Sequence, residues 1–597
     1  MVAVPRRSGL SRSVSRALAL GLAAGAVLAA PAGAAVTLSP APGTPAASPA
    51  TQISVLGVAP SRILSVRASG ARSGRHAGRL RAYSGGRGAS FVPSKAFAQG
   101  ERVAVAVRLR GAAKAITSTF TVARLGAVPP TLNITATRPD QLEAFATRPD
   151  LQAPRITVLR GGSSTADPIF LTPLPSPIIH PESDNTVSIN PVGPGGPMIV
   201  DGRGRLVWFR QLAPPVVAAN LAVARYRGKP VLTWWQGPVT AQAFGLGKAV
   251  IADTSYRTVA EVRAGNGYLM DIHELRLTDT GDAVFTVYSP VLVHLPGTAA
   301  GKLSPVLDSI IQQVDVRTGL VVWEWHALGH VPLADSYANP ENSASYDAFH
   351  INSVQVLAHG RLLVSARDTS AIYELDQRTG AILWTLGGKR STYRMGPGAR
   401  FWLQHDATAL PGDRVSLFDD EAGPPRKGDS RGLLLQLDHG KKTAKLVQSY
   451  TRASGTSAQS EGSTQLLPSG NVFVGFGAAG PFSEFSPDGA LRFDARLPDG
   501  DGSYRTLRFP WRARPATPPR AVATRTDPAH VRLAVSWNGA TGVARWQVLA
   551  GGKALASVAR TGFETTVPVA SAATSFTLRA LDAHGAVLAS SAPVAAP

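Results

Sequence analysis

Apolar and polar residues alternate along short stretches throughout the chain, and Gly, Pro, Ser and Asp clusters separate the stretches. QISVLGV (52–58), VAVAVRL (103–109) and STFTVAR (118–124) have a period of two, the spacing of strands with one buried face. VRLAVSW (531–537), RWQVL (545–549), FETTVPV (563–569) and SFTLRAL (575–581) repeat the pattern near the C-terminus. The two groups predict a β-sandwich over 36–128 and an immunoglobulin or fibronectin type III-like sandwich over 521–597. Residues 129–154 and the proline-rich RARPATPPR (512–520) read as linkers.

Between them, over 155–511, the pattern recurs. A turn of the type Asp-x-x-(Thr)-Gly precedes an apolar strand that often holds Trp, as in VDGRGRLVWF (200–209), VDVRTGLVVWEW (314–325) and LDQRTGAILWTL (375–386). Weaker copies place the marker at Asp253, Asp438 and Asp488, giving Asp201, Asp253, Asp315, Asp376, Asp438 and Asp488 at intervals of 52, 62, 61, 62 and 50 residues. Six strand-and-turn units at this spacing predict a six-bladed β-propeller. The fold class is therefore all-β: a propeller flanked by an N-terminal and a C-terminal sandwich.

Composition agrees with that reading. The 59 Gly and 46 Pro in 597 residues favour turn-rich β structure over helical bundles and doubly wound folds. With no cysteine, disulfides, thiolate metal sites and cysteine nucleophiles are excluded. Residues 1–34 read as a secretory signal: Arg6, Arg7, Arg12 and Arg16, a 14-residue apolar stretch (17–30), then Ala32-Gly33-Ala34. The stretch is too short to span a bilayer, and the spacing leaves open general or twin-arginine export. An exported or cell-envelope protein follows, with no transmembrane segment in the mature chain. Formal net charge is +22, of which +12 lies in 36–128, where thirteen Lys or Arg face the single acid Glu101. Such a module suits an anionic cell-envelope polymer. No nucleic-acid motif accompanies the arginines, so nucleic acid is not expected as a partner.

Each repeat also contains an apolar strand, a tight Gly turn and a returning strand. Aligned on the turn glycines, His273 lies eight residues before Gly281, His350 ten before Gly360 and His405 seven before Gly412. Three consecutive blades thus begin their channel-lining strand with histidine, and equivalent positions converge at one end of the channel. Arg367, seven residues after Gly360, returns to the same end as His350. The remaining histidines share no register and are expected at the surface. Three histidines could hold zinc, but the guanidinium of Arg367 suits a tetrahedral anion better. A neutral imidazole can serve as nucleophile toward such a group. Asp406, adjacent to His405, points to the opposite face of a strand. A backbone carbonyl or another blade is thus expected to fix the His405 tautomer.

The strings FATRPDLQAP (145–154), GPMIVDGRGRLVWF (196–209), DIHELRLTDTGD (271–282), FHINSVQVLAHGRLLVSARDTSAIYELDQRTGAILWTLGG (349–388) and FWLQHDATALPGD (401–413) resemble the arylsulfotransferase family. The resemblance is to its secreted bacterial branch, in which a β-sandwich precedes the propeller. It implies sulfuryl transfer from an aryl sulfate to a phenolic acceptor by a ping-pong route, with no PAPS, no other cofactor and no metal. It also implies that His405 is the transiently sulfated residue, while His273, His350 and Arg367 hold the sulfuryl oxygens. One of the supporting histidines is a candidate to protonate the leaving phenolate. Two other readings remain open. The repeat Asp-x-x-Thr-Gly-x-x-x-Trp (315–323 and 376–384) also occurs in PQQ-type quinoprotein oxidoreductases, and a non-catalytic envelope-binding propeller would use the basic module alone.

Overall fold

The computed structural model describes residues 36–597 apart from 135–137, 176, 181–185, 190–191, 296–301, 342–343, 424–425 and 454. The leader expected at residues 1–34 lies outside the described residues. Strands and three-residue 3-10 turns make up the regular structure; the protein is all-β. Among the described residues no helix is long and apolar enough to cross a membrane.

Six sheets of four or five strands, with a few two-stranded ones beside them, occupy the middle of the chain among the described residues. The first runs in order through Val217–Tyr226, Lys229–Gly237, Lys248–Ala252 and Thr258–Val262. The second begins at Leu275–Leu277 and passes through Asp282–Val293 and Ser304–Asp315 to Leu320–His326. The third extends from Ile351–Val356 to Ile382–Gly387, and the fourth from His405–Leu410 to Thr443–Tyr450. The fifth extends from Ser463–Leu466 to Leu491–Arg496 and gains Thr157–Arg160 at its outer edge. The sixth is assembled from both ends of the region: Leu507–Arg508 pairs with Ile169–Leu171, which pairs with Met198–Val200 and then Leu206–Phe209.

The turn chemistry explains the hairpins. All six marker aspartates end the third strand of their sheet or lie in the turn to the fourth. Their side chains accept backbone N–H groups within the turn, for example Asp201 from Arg203 and Arg205, Asp253 from Ser255 and Arg257, and Asp376 from Thr379. This is the Asx geometry that makes Asp a turn former. Gly281, Gly360 and Gly412 join first to second strands with φ of 83°, 67° and 76°, where a side chain would be strained.

Middle strands are apolar on both faces because sheets flank them on both sides; Leu362–Ala366 is buried throughout. A separate core lies between each pair of neighbours. Trp235 and Ile251 meet Phe285 and Ile310, Ile311 meets Val354 and Val364, and Leu363 meets Leu417 and Leu433. Phe418 meets Val474 and Phe485, Phe473 and Phe482 meet Ile169 and Phe209, and Trp208 meets Trp234 and Leu232. Each fully buried large side chain contributes about 1.5–3 kcal/mol.

The N-terminal residues form two four-stranded sheets around one core containing Ile53, Val55, Phe91, Val105 and Phe120. In Arg102–Leu109 the odd positions are buried and Arg102 and Arg108 are exposed, as the alternation predicts. This unit covers Leu320 and Val322 of the second sheet with Tyr83, and the Arg87 guanidinium bonds Asp282. Val531, Leu533, Trp546, Val567 and Leu578 build the core of the two C-terminal sheets. That unit meets the first sheet where the Tyr256 hydroxyl donates to the Gly539 carbonyl at 2.9 Å.

His326 corrects one expectation: it is buried, not at the surface. Burial alone would lower its pKa, but Asp308 at 2.7 Å and Glu324 at 3.0 Å push it up to about 10. The raised pKa means that the imidazolium stabilises the fold fully below the ordinary histidine value of about 6.5, and that this stabilisation is lost as pH rises through about 10. The thermal midpoint of His326→Gln should therefore decline less than that of the wild type between pH 7 and 10. Equal declines would contradict the assignment.

Candidate active site

The three register histidines stand at the entry to the first strands of the second, third and fourth sheets. His273 precedes Leu275–Leu277, His350 immediately precedes Ile351–Val356, and His405 opens its strand. The backbone is kinked there. His350 has φ of 57° and Asp406 of 51°, and both ladders shift register over the next residues. Bonds between sheets hold these entries in place: Asn220 Nδ2 donates to the carbonyl of Ile272, and Asn352 Nδ2 to that of Gln404, both at 2.6 Å. Each acceptor directly precedes one of the histidines.

Arg505, from the segment leading into the sixth sheet, joins four of the other sheets. Its guanidinium bonds Asn220 Oδ1 at 2.9 Å, Glu274 Oε1 and Oε2 at 2.9 and 3.0 Å, and the Asn352 carbonyl at 3.2 Å. It also lies 2.9 Å from Asp406 Oδ1. Burial opposes its charge, yet Glu274 and Asp406 hold its pKa above the usual arginine value.

Each histidine is oriented through Nδ1 by its own carboxylate. His273 Nδ1 is 2.6 Å from Asp271, His350 Nδ1 2.7 Å from Asp347, and His405 Nδ1 2.7 Å from Asp420. The last contact corrects the expected partner of His405: it is neither a carbonyl nor another sheet. Asp420 directly follows Arg414–Asp419, the strand paired with that of His405. Asp406 does point elsewhere, toward Arg505.

The tautomer of His405 follows from a group that can only donate. The backbone N–H of Glu461 points at His405 Nε2 over 3.3 Å. Nε2 therefore carries the lone pair, and Nδ1–H donates to Asp420. Burial, followed by the charges of Arg367, His350 and Arg505, holds the His405 pKa well below the ordinary imidazole value. His405 is a neutral imidazole with its nucleophilic nitrogen fixed.

His273 and His350 face each other through Nε2 atoms 3.1 Å apart, so one carries the proton between them. Asp271 also accepts the Thr286 hydroxyl and the N–H groups of Gly245 and His273, which marks it as ionised. Burial lowers the His273 pKa. His350 is raised despite burial because Asp347 and Asp368 face it. His350 is thus the imidazolium and His273 its neutral acceptor. Arg367 donates its backbone N–H to the His350 carbonyl at 2.9 Å, and its guanidinium bonds Asp368 Oδ1 at 2.7 Å and the Gln459 carbonyl at 3.3 Å. The Tyr504 ring stands between His273 and His405, with centroid distances of 5.5 and 6.2 Å. His273 and His405 are buried, whereas His350 and Arg367 keep 12% and 22% of their side chains exposed; the site opens on their side.

Asp347, His350 and Asp368 could hold a cation, their ligating atoms lying within 4.8 Å of one another. In this structure they are engaged with one another and with Arg367. This group differs from the three-histidine zinc set that spacing left open. Sequence reasoning missed Asp271, Asp347, Asp420, Tyr504 and Arg505. Asp271 and Asp347, two and three residues before their histidines, were the readable signal.

The family model described as arylsulfotransferase (ASST) matches residues 222–497. No curated protein matches the chain. Among solved structures, a protein of unknown function from Bacteroides caccae shares 12% identity over 57% of this chain and 98% of its own, with a TM-score of 0.33. Apo AztD from Citrobacter koseri shares 9% over 57% and 98%, with a TM-score of 0.28. The NanB sialidase from Streptococcus pneumoniae shares 9% over 79% and 64%, with a TM-score of 0.19. Likenesses this slight support no argument about activity.

Proposed function

The chain belongs to the arylsulfotransferase family through residues 222–497, and on that premise we propose that it transfers a sulfuryl group from an aryl sulfate to a phenolic acceptor through His405, without PAPS. The six sheets, each sharing a core with the next, are read as the blades of a propeller, with the histidines at one end of its channel. The observation that carries the mechanism is the fixed tautomer of His405, with Nε2 bearing the lone pair and Nδ1–H on Asp420.

In the first step Nε2 attacks sulfur, the S–O bond to the aryl group breaks, and the aryl oxide leaves with the electron pair. The weak bond from the Glu461 N–H yields as sulfur arrives. Arg367 and the His350 imidazolium offset charge on the sulfuryl oxygens, and His273 keeps His350 aligned. In the second step a phenolic oxygen attacks sulfur and the N–S electron pair returns to Nε2. These fixed dipoles and charges need little reorganisation during the reaction. Export rests on the leader pattern in residues 1–34. The exposed Arg79, Arg81, Arg102 and Arg108 suit an anionic envelope polymer.

The test is release of 4-nitrophenol from 4-nitrophenyl sulfate, dependent on a phenolic acceptor and independent of any nucleotide. No release from any aryl sulfate would overturn the reading. Replacing His350 with Ala removes the imidazolium charge, and replacing His273 removes the group that aligns it. Each should lower turnover by about 100- to 1000-fold, the scale on which one preorganised charge at an oxyanion acts.

A further inference from the structure

The chemistry above leaves one proton unassigned. An aryl oxide must gain a proton to leave as a phenol, and the acceptor phenol must lose one. His350 is poorly placed to supply it, because Asp347 and His273 hold both of its N–H groups. His405 is the nucleophile, and Arg367 does not titrate in this range.

Glu461 lies in the connection between the fourth and fifth sheets. Its N–H meets the nucleophilic nitrogen, so its side chain starts beside the reacting atoms. The same turn supplies Gln459, whose carbonyl receives Arg367. The carboxyl is close enough to Asp420 and Tyr504, which flank His405, to raise their pKa values. Its Oε2 is buried and has no hydrogen-bond partner among the described residues, an arrangement that costs free energy unless a ligand completes it. The residue also has φ of 70°, which a non-glycine side chain adopts only under constraint from its surroundings.

We propose, building on the sulfuryl-transfer reading, that the Glu461 carboxyl is the proton donor and acceptor at the phenolic oxygen. As the S–O bond of the donor ester breaks, the carboxylic acid passes its proton to the aryl oxide, giving a phenol and a Glu461 carboxylate. The carboxylate then takes the proton of the acceptor phenol as that oxygen attacks sulfur, and the acid is restored when Nε2 recovers its electron pair. No co-reactant is needed. Burial pushes the carboxyl up to about 8, so it is protonated at neutral pH, as the first step requires.

The test compares sulfation of the enzyme by two donors, 4-nitrophenyl sulfate and phenyl sulfate. 4-Nitrophenoxide leaves readily without a proton, whereas phenoxide does not. Glu461→Gln should slow sulfation by 4-nitrophenyl sulfate less than about 10-fold and by phenyl sulfate about 100-fold or more, within the usual range for general acid catalysis. Equal losses on both donors, or no loss on either, would overturn the proposal. If Glu461→Gln does not fold, wild-type rates across substituted phenyl sulfates decide. A weak dependence on phenol acidity supports proton donation, and a steep one overturns it. Wild-type enzyme that sulfates a residue other than His405 would overturn the sulfuryl-transfer reading instead, and absence of any sulfation would overturn both.

Discussion

Replacing His405 with Asn is expected to abolish turnover of every aryl sulfate while leaving the fold intact. Asn retains a polar side chain of smaller volume but has no nitrogen lone pair able to attack sulfur. The supporting groups would remain in place: Asp420 at the end of the neighbouring strand, Arg367 on Asp368, and the His273–His350 pair. Substrate binding should therefore survive loss of the chemistry. Losing the nucleophile of a covalent mechanism typically costs on the order of 10⁶ in kcat. Steady-state release of 4-nitrophenol checks this, and a variant that kept a tenth of wild-type activity would exclude His405 as the nucleophile. Burial and the surrounding cations keep His405 neutral. The acidic limb of the wild-type pH profile should thus lie below the ordinary imidazole value of about 6.5.

The largest effect on stability should come from Arg505→Met. This guanidinium is 4% exposed and is shared by Asn220, Glu274, the Asn352 carbonyl and Asp406, each from a different sheet. Removing it leaves the carboxylates of Glu274 and Asp406 buried without their shared partner, at a cost of about 3–5 kcal/mol. Thermal unfolding should show a clear loss relative to wild type. Adding Glu274→Gln and Asp406→Asn should recover part of it, because the uncompensated charges would be gone. An unchanged midpoint in the single variant would contradict the role assigned to Arg505.

The parts of the fold legible in the sequence are those fixed by local chemistry. Asp201, Asp315 and Asp376 stand out because an aspartate that accepts N–H groups from residues just ahead of it forms the same turn wherever it recurs. His273, His350 and His405 could be aligned because each is a few residues from a glycine turn joining the same two strands. The Nδ1 partner of His405 was not readable. A bulge between His405 and Thr408 breaks simple alternation, and Asp420 lies beyond the end of the paired strand. The burial of His326 is not legible locally, because one of its two carboxylates comes from Asp308, 18 residues away, and only the other from nearby Glu324. Arg505 and Tyr504 carry no repeat signature. Their central position follows from the pairing of Leu507–Arg508 with Ile169–Leu171, and nothing in the linear order announces that pairing between the two ends of the repeat region.

The mechanism turns on where the sulfuryl group rests between donor and acceptor. Wild-type protein should be mixed with 4-nitrophenyl sulfate in the absence of a phenol, quenched, and mapped by peptide mass spectrometry under conditions that preserve sulfohistidine. The expected result is one sulfuryl group on the peptide containing His405, formed together with one equivalent of 4-nitrophenol and removed when a phenolic acceptor is added before the quench. A sulfuryl group on another residue, or turnover with no labelled peptide at any time, would contradict it.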